Sequence, residues 1–181
     1  MREVILISGG ARSGKSSCAV ELAKRGGARV AFIATGAACD AEMQKRIELH
    51  RMSRPSHWTL IEEGKDIAAA LRTLNDKYEV VVIDCLGLPI SNLLADNLDD
   101  EEIERRIGQL VDAIRAVEFT IIVVSNEVGS GIVPMNALAR RFRDLLGLAN
   151  QMLARQADKV IVMQMGIPMV IRDTRKDAQI K

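Results

Sequence analysis

Apolar, strand-like runs recur along the chain at residues 3–8, 29–34, 79–84, 119–125 and 159–164. Amphipathic helical patterns lie between most of them, at 15–25, 39–53, 65–75, 100–117 and 135–157. Strands alternating with helices predict an α/β fold: a mainly parallel sheet flanked on both faces by helices, with right-handed crossovers. Ligands of such sheets bind at the carboxyl ends of the strands. Gly166-Ile167-Pro168 reads as a turn, so the strand at 159–164 is expected to pair with 168–171 in a C-terminal β-hairpin. No linker or repeat interrupts residues 1–181, which read as one domain, and the polar stretch 172–181 reads as a frayed tail.

The strongest chemical signal sits between the first strand and the first helix. Gly9-Gly10-Ala11-Arg12-Ser13-Gly14-Lys15-Ser16 fits the phosphate-loop pattern G-x-x-x-x-G-K-[ST] at every position. Val4-Ile5-Leu6-Ile7-Ser8 before it is a buried-strand sequence, and Ser17 to Arg25 after it is helix-forming. Glycines let backbone N–H groups turn toward phosphate oxygens, and the helix N-terminus adds positive potential. Lys15 is placed to reach the β/γ-phosphates and Ser16 to hold Mg²⁺. The plain alternative is a glycine turn that takes only a structural anion.

A second strand end supports the nucleotide reading. Val80-Val81-Val82-Ile83-Asp84 has the form of a strand whose terminal acid holds Mg²⁺ directly or through water. Many strands end in Asp, so this run gains weight only beside the phosphate loop. Ser125-Asn126-Glu127 follows the next strong strand and reads equally as an orienting group for a nucleophile or metal-bound water and as a turn with a helix cap. The guanine-reading motif N-K-x-D is not met, since Glu127 follows Asn126, and the dinucleotide fingerprint G-x-G-x-x-G is not met either.

The two histidines are His50 and His57. Arg46 lies one helical turn before His50, and Arg51 and Arg54 flank it. Nearby cations disfavour imidazolium, and a neutral imidazole among guanidinium groups suits nucleophilic attack on phosphorus. Met43, Ile47 and His50 also share one helix face, so His50 reads alternatively as the end of an apolar stripe. His57, beside Trp58, reads as a packing or surface residue.

Composition narrows the classes further. The net charge of +1 and the 3% aromatic content argue against a nucleic-acid partner, by field or by base stacking. No apolar run is long enough for a transmembrane segment, and the N-terminus shows no signal-peptide pattern. Cys18, Cys39 and Cys85 are far apart and odd in number, which with the rest suggests a reduced, cytoplasmic chain.

Taken in order, the motifs resemble one family. They are the phosphate loop Gly9–Ser16, Ala34-Thr35-Gly36, Asp40-Ala-Glu-Met43, Arg46-Ile47-x-x-His50-Arg51 and Arg54-Pro55-x-x-Trp58. Asp84-Cys85-Leu86, Asn92-Leu93-Leu94, Asn126 through Pro134, Arg141-Phe-Arg-Asp144 and Gly147-x-x-Asn150-Gln151 follow. From about residue 3 to about 171 the chain resembles the bifunctional adenosylcobinamide kinases / adenosylcobinamide-phosphate guanylyltransferases of cobalamin biosynthesis. That resemblance implies a RecA-like P-loop NTPase fold and a homotrimer. It implies ATP or GTP as donor to adenosylcobinamide, then GMP transfer from GTP onto adenosylcobinamide phosphate through a guanylyl-histidine at His50. The nucleotide positions it implies are Gly9, Gly10, Ala11, Arg12, Ser13, Gly14, Lys15, Ser16, Ala34, Thr35, Gly36, Arg51, Met52, Ser53, Arg54, Glu62 and Asp84. His50 and Lys15 would be catalytic, with Ser16 and Asp84 as Mg²⁺ ligands. Where relatives read Thr-Leu-Trp after Asp84-Cys85-Leu86, this chain has Gly87-Leu88-Pro89.

Overall fold

Runs that are apolar at every position are satisfied in a sheet covered on both faces. The computed structural model, which describes residues 2–36, 48, 54–74 and 77–177, has that arrangement. Its elements in chain order are β1 (Val4–Gly9), α1 (Lys15–Gly26), β2 (Val30–Ala34), β3 (Thr59–Glu62), α2 (Ile67–Thr73) and β4 (Val80–Asp84). After these come α3 (Gly87–Ala95), α4 (Asp100–Ala116), β5 (Thr120–Val124), α5 (Ala137–Gln156), β6 (Lys159–Gln164), β7 (Ile167–Asp173) and α6 (Thr174–Asp177). Among the described residues the strands form a seven-stranded sheet in the order β3-β2-β4-β5-β1-β6-β7. All neighbours are parallel except the terminal β6–β7 pair. The α/β, P-loop-type sheet with a C-terminal hairpin is therefore the fold observed.

Alternate residues of each inner strand feed two cores. Val4, Leu6, Ala31, Ile33, Val81, Ile83, Ile121 and Val123 pack under α2, α3, α4 and α5. Ile5, Ile7, Val30, Phe32, Val80, Val82, Ile122 and Val124 pack under α1 and Trp58 on the other face. Helix starts are fixed by short polar side chains: Asp66, Asp99 and Asn136 accept from backbone N–H groups one turn into α2, α4 and α5.

Besides the short C-terminal α6, two elements have no counterpart in the hydrophobic pattern. β3 is four residues long and mostly exposed, so it shows neither alternation nor a continuous apolar run. α3 begins Gly87-Leu88-Pro89, which reads as a breaker. Pro89 stands in the first turn, where the helix has no use for its missing N–H.

The hairpin turn also lies earlier than expected. Met165 and Gly166, both at positive φ, make a two-residue turn, and Pro168 pairs opposite Met163 within an edge strand that tolerates it. Arg172 and Asp173, expected in a frayed tail, complete β7, and Thr174–Asp177 form α6. Hydrogen bonds from Arg172 to Ala154 O, Thr174 N to Asp158 O and Arg175 to Arg2 O hold this end down. The helix expected over 39–53, apart from the helical Glu48, lies outside the described residues. No described helix is long and apolar enough to cross a membrane. Exposed apolar side chains gather in two places, at Ile132, Val133 and Met135 before α5 and at Ile167, Met169, Val170 and Ile171 on β7.

Candidate active site

Strand register brings the described nucleotide motifs to one edge of the sheet. Glu62, Ala34, Asp84, Val124 and Ile7 pair in a single row across five strands. Everything just beyond that row emerges on the same carboxyl edge: the phosphate loop, Thr35-Gly36, Cys85 and Asn126. β5 lies between β1 and β4, so Asp84 stands two strands, or about 9.6 Å, across from the loop strand. Glu62, exposed at the end of β3, is four strands or about 19 Å away. It is therefore out of reach of a group bound in the loop itself.

The loop has the backbone shape that anion binding needs. Gly14 adopts φ 95° immediately before α1, and Arg12 is at φ 55°, so successive N–H groups turn inward at the helix start. Gly9 must be glycine. A Cβ there would lie 2.5 Å from Met163 O and 2.8 Å from Ser13 Oγ. Ser13 N donates to Gly10 O at 3.3 Å, and Gly166 N from the hairpin turn donates to Ser13 O at 3.1 Å. The Ser13 hydroxyl is buried and makes no hydrogen bond within the protein. Ala11 and Arg12 are exposed, and Ser16 opens the first turn of α1 half-buried.

Lys15 is 7% exposed and its ammonium donates to Gly10 O at 2.6 Å. Burial lowers its pKa below the usual lysine value, and the fields of Cys85 and Asp84 oppose that shift. The loop that carries Lys15 and the strand end that carries Asp84 lie at the same sheet edge, on either side of β5. The Cys85 thiol is pushed up, first by burial and then by Asp84. Thr35, 1% exposed, brackets Cys85: its hydroxyl donates to Cys85 O and accepts from Cys85 N, each at 2.7 Å. Thr35 N also donates to Asp84 O at 3.1 Å. These bonds orient the backbone that carries the Asp84 carboxylate.

Several motif residues that carry no chemistry by themselves prove to be braces. The Asn92 amide donates to Gly64 O at 2.8 Å and holds the turn after β3. The Ser125 hydroxyl is fully buried and bonded to the Asn150 Oδ1, so it faces the protein and not the edge. The Asn150 amide donates to Asn126 O at 3.0 Å. Trp58 stacks on Phe32 with centroids 6.5 Å apart, and the Arg54 guanidinium lies 4.2 Å over the same Phe32 ring. His57 is exposed. Arg141 is drawn to Asp100 and Leu98 O, and Arg143 pairs with Asp144, so both are accounted for by local partners. His50, Arg51, Met52 and Ser53 lie outside the described residues. Long-range braces such as Thr35 on Cys85 leave no local sequence signal.

Fold and edge together define a nucleotide-binding α/β protein of the phosphate-loop class. Comparison narrows the class. Residues 5–171 match the sequence model of the family described as cobinamide kinase / cobinamide phosphate guanyltransferase, and the chain belongs to that family. It is 40% identical over 172 residues to the bifunctional adenosylcobalamin biosynthesis protein CobP of Pseudomonas aeruginosa, covering 95% of this chain and 98% of that one. It is 37% identical over 181 residues to the bifunctional adenosylcobalamin biosynthesis protein CobU of Escherichia coli, covering 93% and 99%. To the protein of the same name from Salmonella typhimurium it is 36% identical over 182 residues, covering 93% and 99%. The family resemblance carried by the motifs is thereby borne out.

Proposed function

We propose that the chain, acting as one catalytic domain, carries out both reactions of its family in cobalamin biosynthesis. The first phosphorylates adenosylcobinamide with ATP or GTP. The second moves GMP from GTP onto adenosylcobinamide phosphate, giving adenosylcobinamide-GDP and pyrophosphate. The observation that carries this reading is the single sheet edge that brings together the phosphate loop with Lys15 and the strand end with Asp84, with one strand between them.

On this reading Gly9 to Ser16 cradle the β/γ-phosphates. Backbone N–H groups and the Lys15 ammonium neutralise charge that grows on these phosphates in either reaction. Ser16 and Asp84 would hold Mg²⁺. Among the described residues no group of three or more His, Cys, Asp or Glu forms a metal cage. One hydroxyl and one carboxylate suit Mg²⁺, which keeps waters and phosphate oxygens as its other ligands. When bound, the ion supplies charge neutralisation at the phosphates. Ala34, Thr35 and Gly36 would line the nucleotide beyond the loop, with Arg54, held over Phe32, and Arg51, Met52 and Ser53 near the α-phosphate or ribose. Glu62 would serve the far end of the nucleotide.

In the second reaction an imidazole nitrogen of His50 attacks the α-phosphorus of GTP. The bond to the bridging oxygen breaks, and pyrophosphate leaves. A phosphate oxygen of adenosylcobinamide phosphate then attacks the same phosphorus, the N–P bond breaks, and His50 is freed. This role for His50 rests on the Arg46-Ile47-x-x-His50-Arg51 motif. The family resemblance implies a homotrimer, and the exposed apolar groups before α5 and on β7 are surfaces that such an assembly would cover. The composition supports a cytoplasmic location.

The test is incubation with Mg²⁺ and GTP labelled at the α- or the γ-phosphate, followed by a denaturing gel. Acid-labile, alkali-stable label from α-labelled GTP only, lost in His50→Ala while kinase activity persists, is the expected result. A folded His50→Ala protein that loses both activities equally would count against the covalent role. No retained label in a protein that binds GTP would point to a simple kinase.

A further inference from the structure

Asn150 projects from α5 toward the sheet edge, and both halves of its amide are used. Its oxygen accepts from the buried Ser125 hydroxyl, and its nitrogen donates to Asn126 O at 3.0 Å. The peptide plane that carries Asn126 O also carries the N–H of Glu127, which donates to Gly9 O at 3.0 Å. One peptide plane is therefore held at both ends, by Asn150 on its carbonyl and by the first glycine of the phosphate loop on its amide. The Asn126 side chain lies 3.9 Å from Cys85 Sγ, and Leu86 N donates to Val124 O at 2.9 Å, so β5 also touches the segment after Asp84. On its other flank the loop is gripped by Gly166 through Ser13 O.

We propose that Asn150 is a positioning residue for the nucleotide. Through the 126–127 peptide plane it fixes the Gly9 carbonyl, and through Asn126 it fixes the Cys85 segment, so it sets the loop against the Asp84 carboxylate. The inference rests on the assignment of the loop and Asp84 to nucleotide binding. Its physical content lies in which half of the amide matters. Asn150→Asp keeps the size of the side chain and an acceptor for Ser125, but it replaces the donor to Asn126 O with an oxygen that repels it. Ser125→Ala removes the opposite bond and leaves the link to Asn126 intact. A residue that only stabilises α5 would make the two variants alike in binding.

The experiment is isothermal titration of Mg·GTP into wild type, Asn150→Asp, Ser125→Ala and Lys15→Ala, each below its unfolding transition as read by circular dichroism. Kinase and guanylyl-transfer rates are measured alongside. Asn150→Asp is expected to weaken Mg·GTP by about tenfold and to slow both reactions by a common factor, while Ser125→Ala stays within about threefold of wild type. A folded Asn150→Asp protein with affinity within about twofold of wild type, or a Ser125→Ala protein equally impaired, overturns the proposal. If Asn150→Asp does not fold, Asn150→Ala, which removes the donor without adding charge, is judged by the same limits. Lys15→Ala reads the underlying assignment separately. Unchanged affinity there overturns that assignment and the inference with it, whereas loss there beside an unaffected Asn150→Asp overturns the inference alone.

Discussion

Gly9→Ala should be among the most damaging methyl additions in the chain, and its cost follows from geometry. The residue sits at φ 153°, where L side chains are rarely found, at a cost of about 1–3 kcal/mol. The new methyl would meet Met163 O at 2.5 Å and Ser13 Oγ at 2.8 Å. Met163 O is backbone, and Gly9 and Met163 are register partners, so relief requires opening the β1–β6 pairing. Overpacking of this kind adds about 1–3 kcal/mol. The total, about 2–6 kcal/mol, is a large share of the roughly 5–15 kcal/mol that holds a domain folded. A mid-range loss of about 4 kcal/mol lowers the melting temperature by about 8–16 °C in a chain of this length. Gly10→Ala is the matched control, because a Cβ there meets nothing within 4 Å. It should shift stability by no more than about 1 kcal/mol in either direction. Urea unfolding followed by far-ultraviolet circular dichroism and Trp58 fluorescence measures both variants. Equal midpoints for the two, or a Gly9→Ala loss under about 1 kcal/mol, would refute the reasoning.

Lys15→Ala should weaken both reactions, and unchanged rates in either contradict a shared loop. Because burial lowers the Lys15 pKa, wild-type affinity for Mg·GTP should begin to fall below the ordinary lysine range near about 10.4. A titration flat up to that range would exclude a binding role for the ammonium. The sign for stability is opposite: between the lowered folded value and the unfolded one the unfolded chain binds more protons, so this group's contribution rises with pH. Thr35→Val keeps the shape but strips both hydrogen bonds from the Cys85 backbone, and should cost about 1–3 kcal/mol. An unshifted urea midpoint would show that the bracket adds nothing. Trp58→Ala removes the partner of Phe32 beneath Arg54 and should cost about 3–5 kcal/mol, read by thermal unfolding. A loss below about 1 kcal/mol would mean that the stack is not a structural support.

The parts of the fold legible in the sequence are those whose burial is complete. β1, β2, β4, β5 and β6 are apolar at nearly every position, and α4 and α5 carry long one-sided stripes, so their periodicity stands out. β3 escapes because an exposed edge strand of four residues needs no apolar pattern. α3 escapes because Gly87 and Pro89 mask a helix whose first turn tolerates both. At the site the phosphate loop is legible because its chemistry demands a fixed local spacing of glycine, lysine and serine. The pairing of Thr35 with Cys85, of Asn92 with Gly64 and of Asn150 with Asn126 is not, since each joins segments far apart in the chain. Apart from Gly64 these residues stand in the motif series by name, but what they touch is set by strand order.

The placement of β1 between β5 and β6 has a consequence for how the molecule comes into being. The loop at 9–16 is made before residues 120–166, yet both strands beside β1 and two of the bonds on the loop come from that later stretch. Glu127 must arrive to bond Gly9, and the turn at 165–166 must arrive to bond Ser13. A nascent chain that ends before residue 120 has the complete glycine-lysine-serine signature but neither of these two bonds and neither strand neighbour of β1. Such distant pairings form slowly, because the closure entropy is met before the contacts repay it. Nucleotide affinity should therefore appear abruptly, when the last parallel strand docks beside the first. Tight nucleotide binding thus reports that β6 has taken its place beside β1.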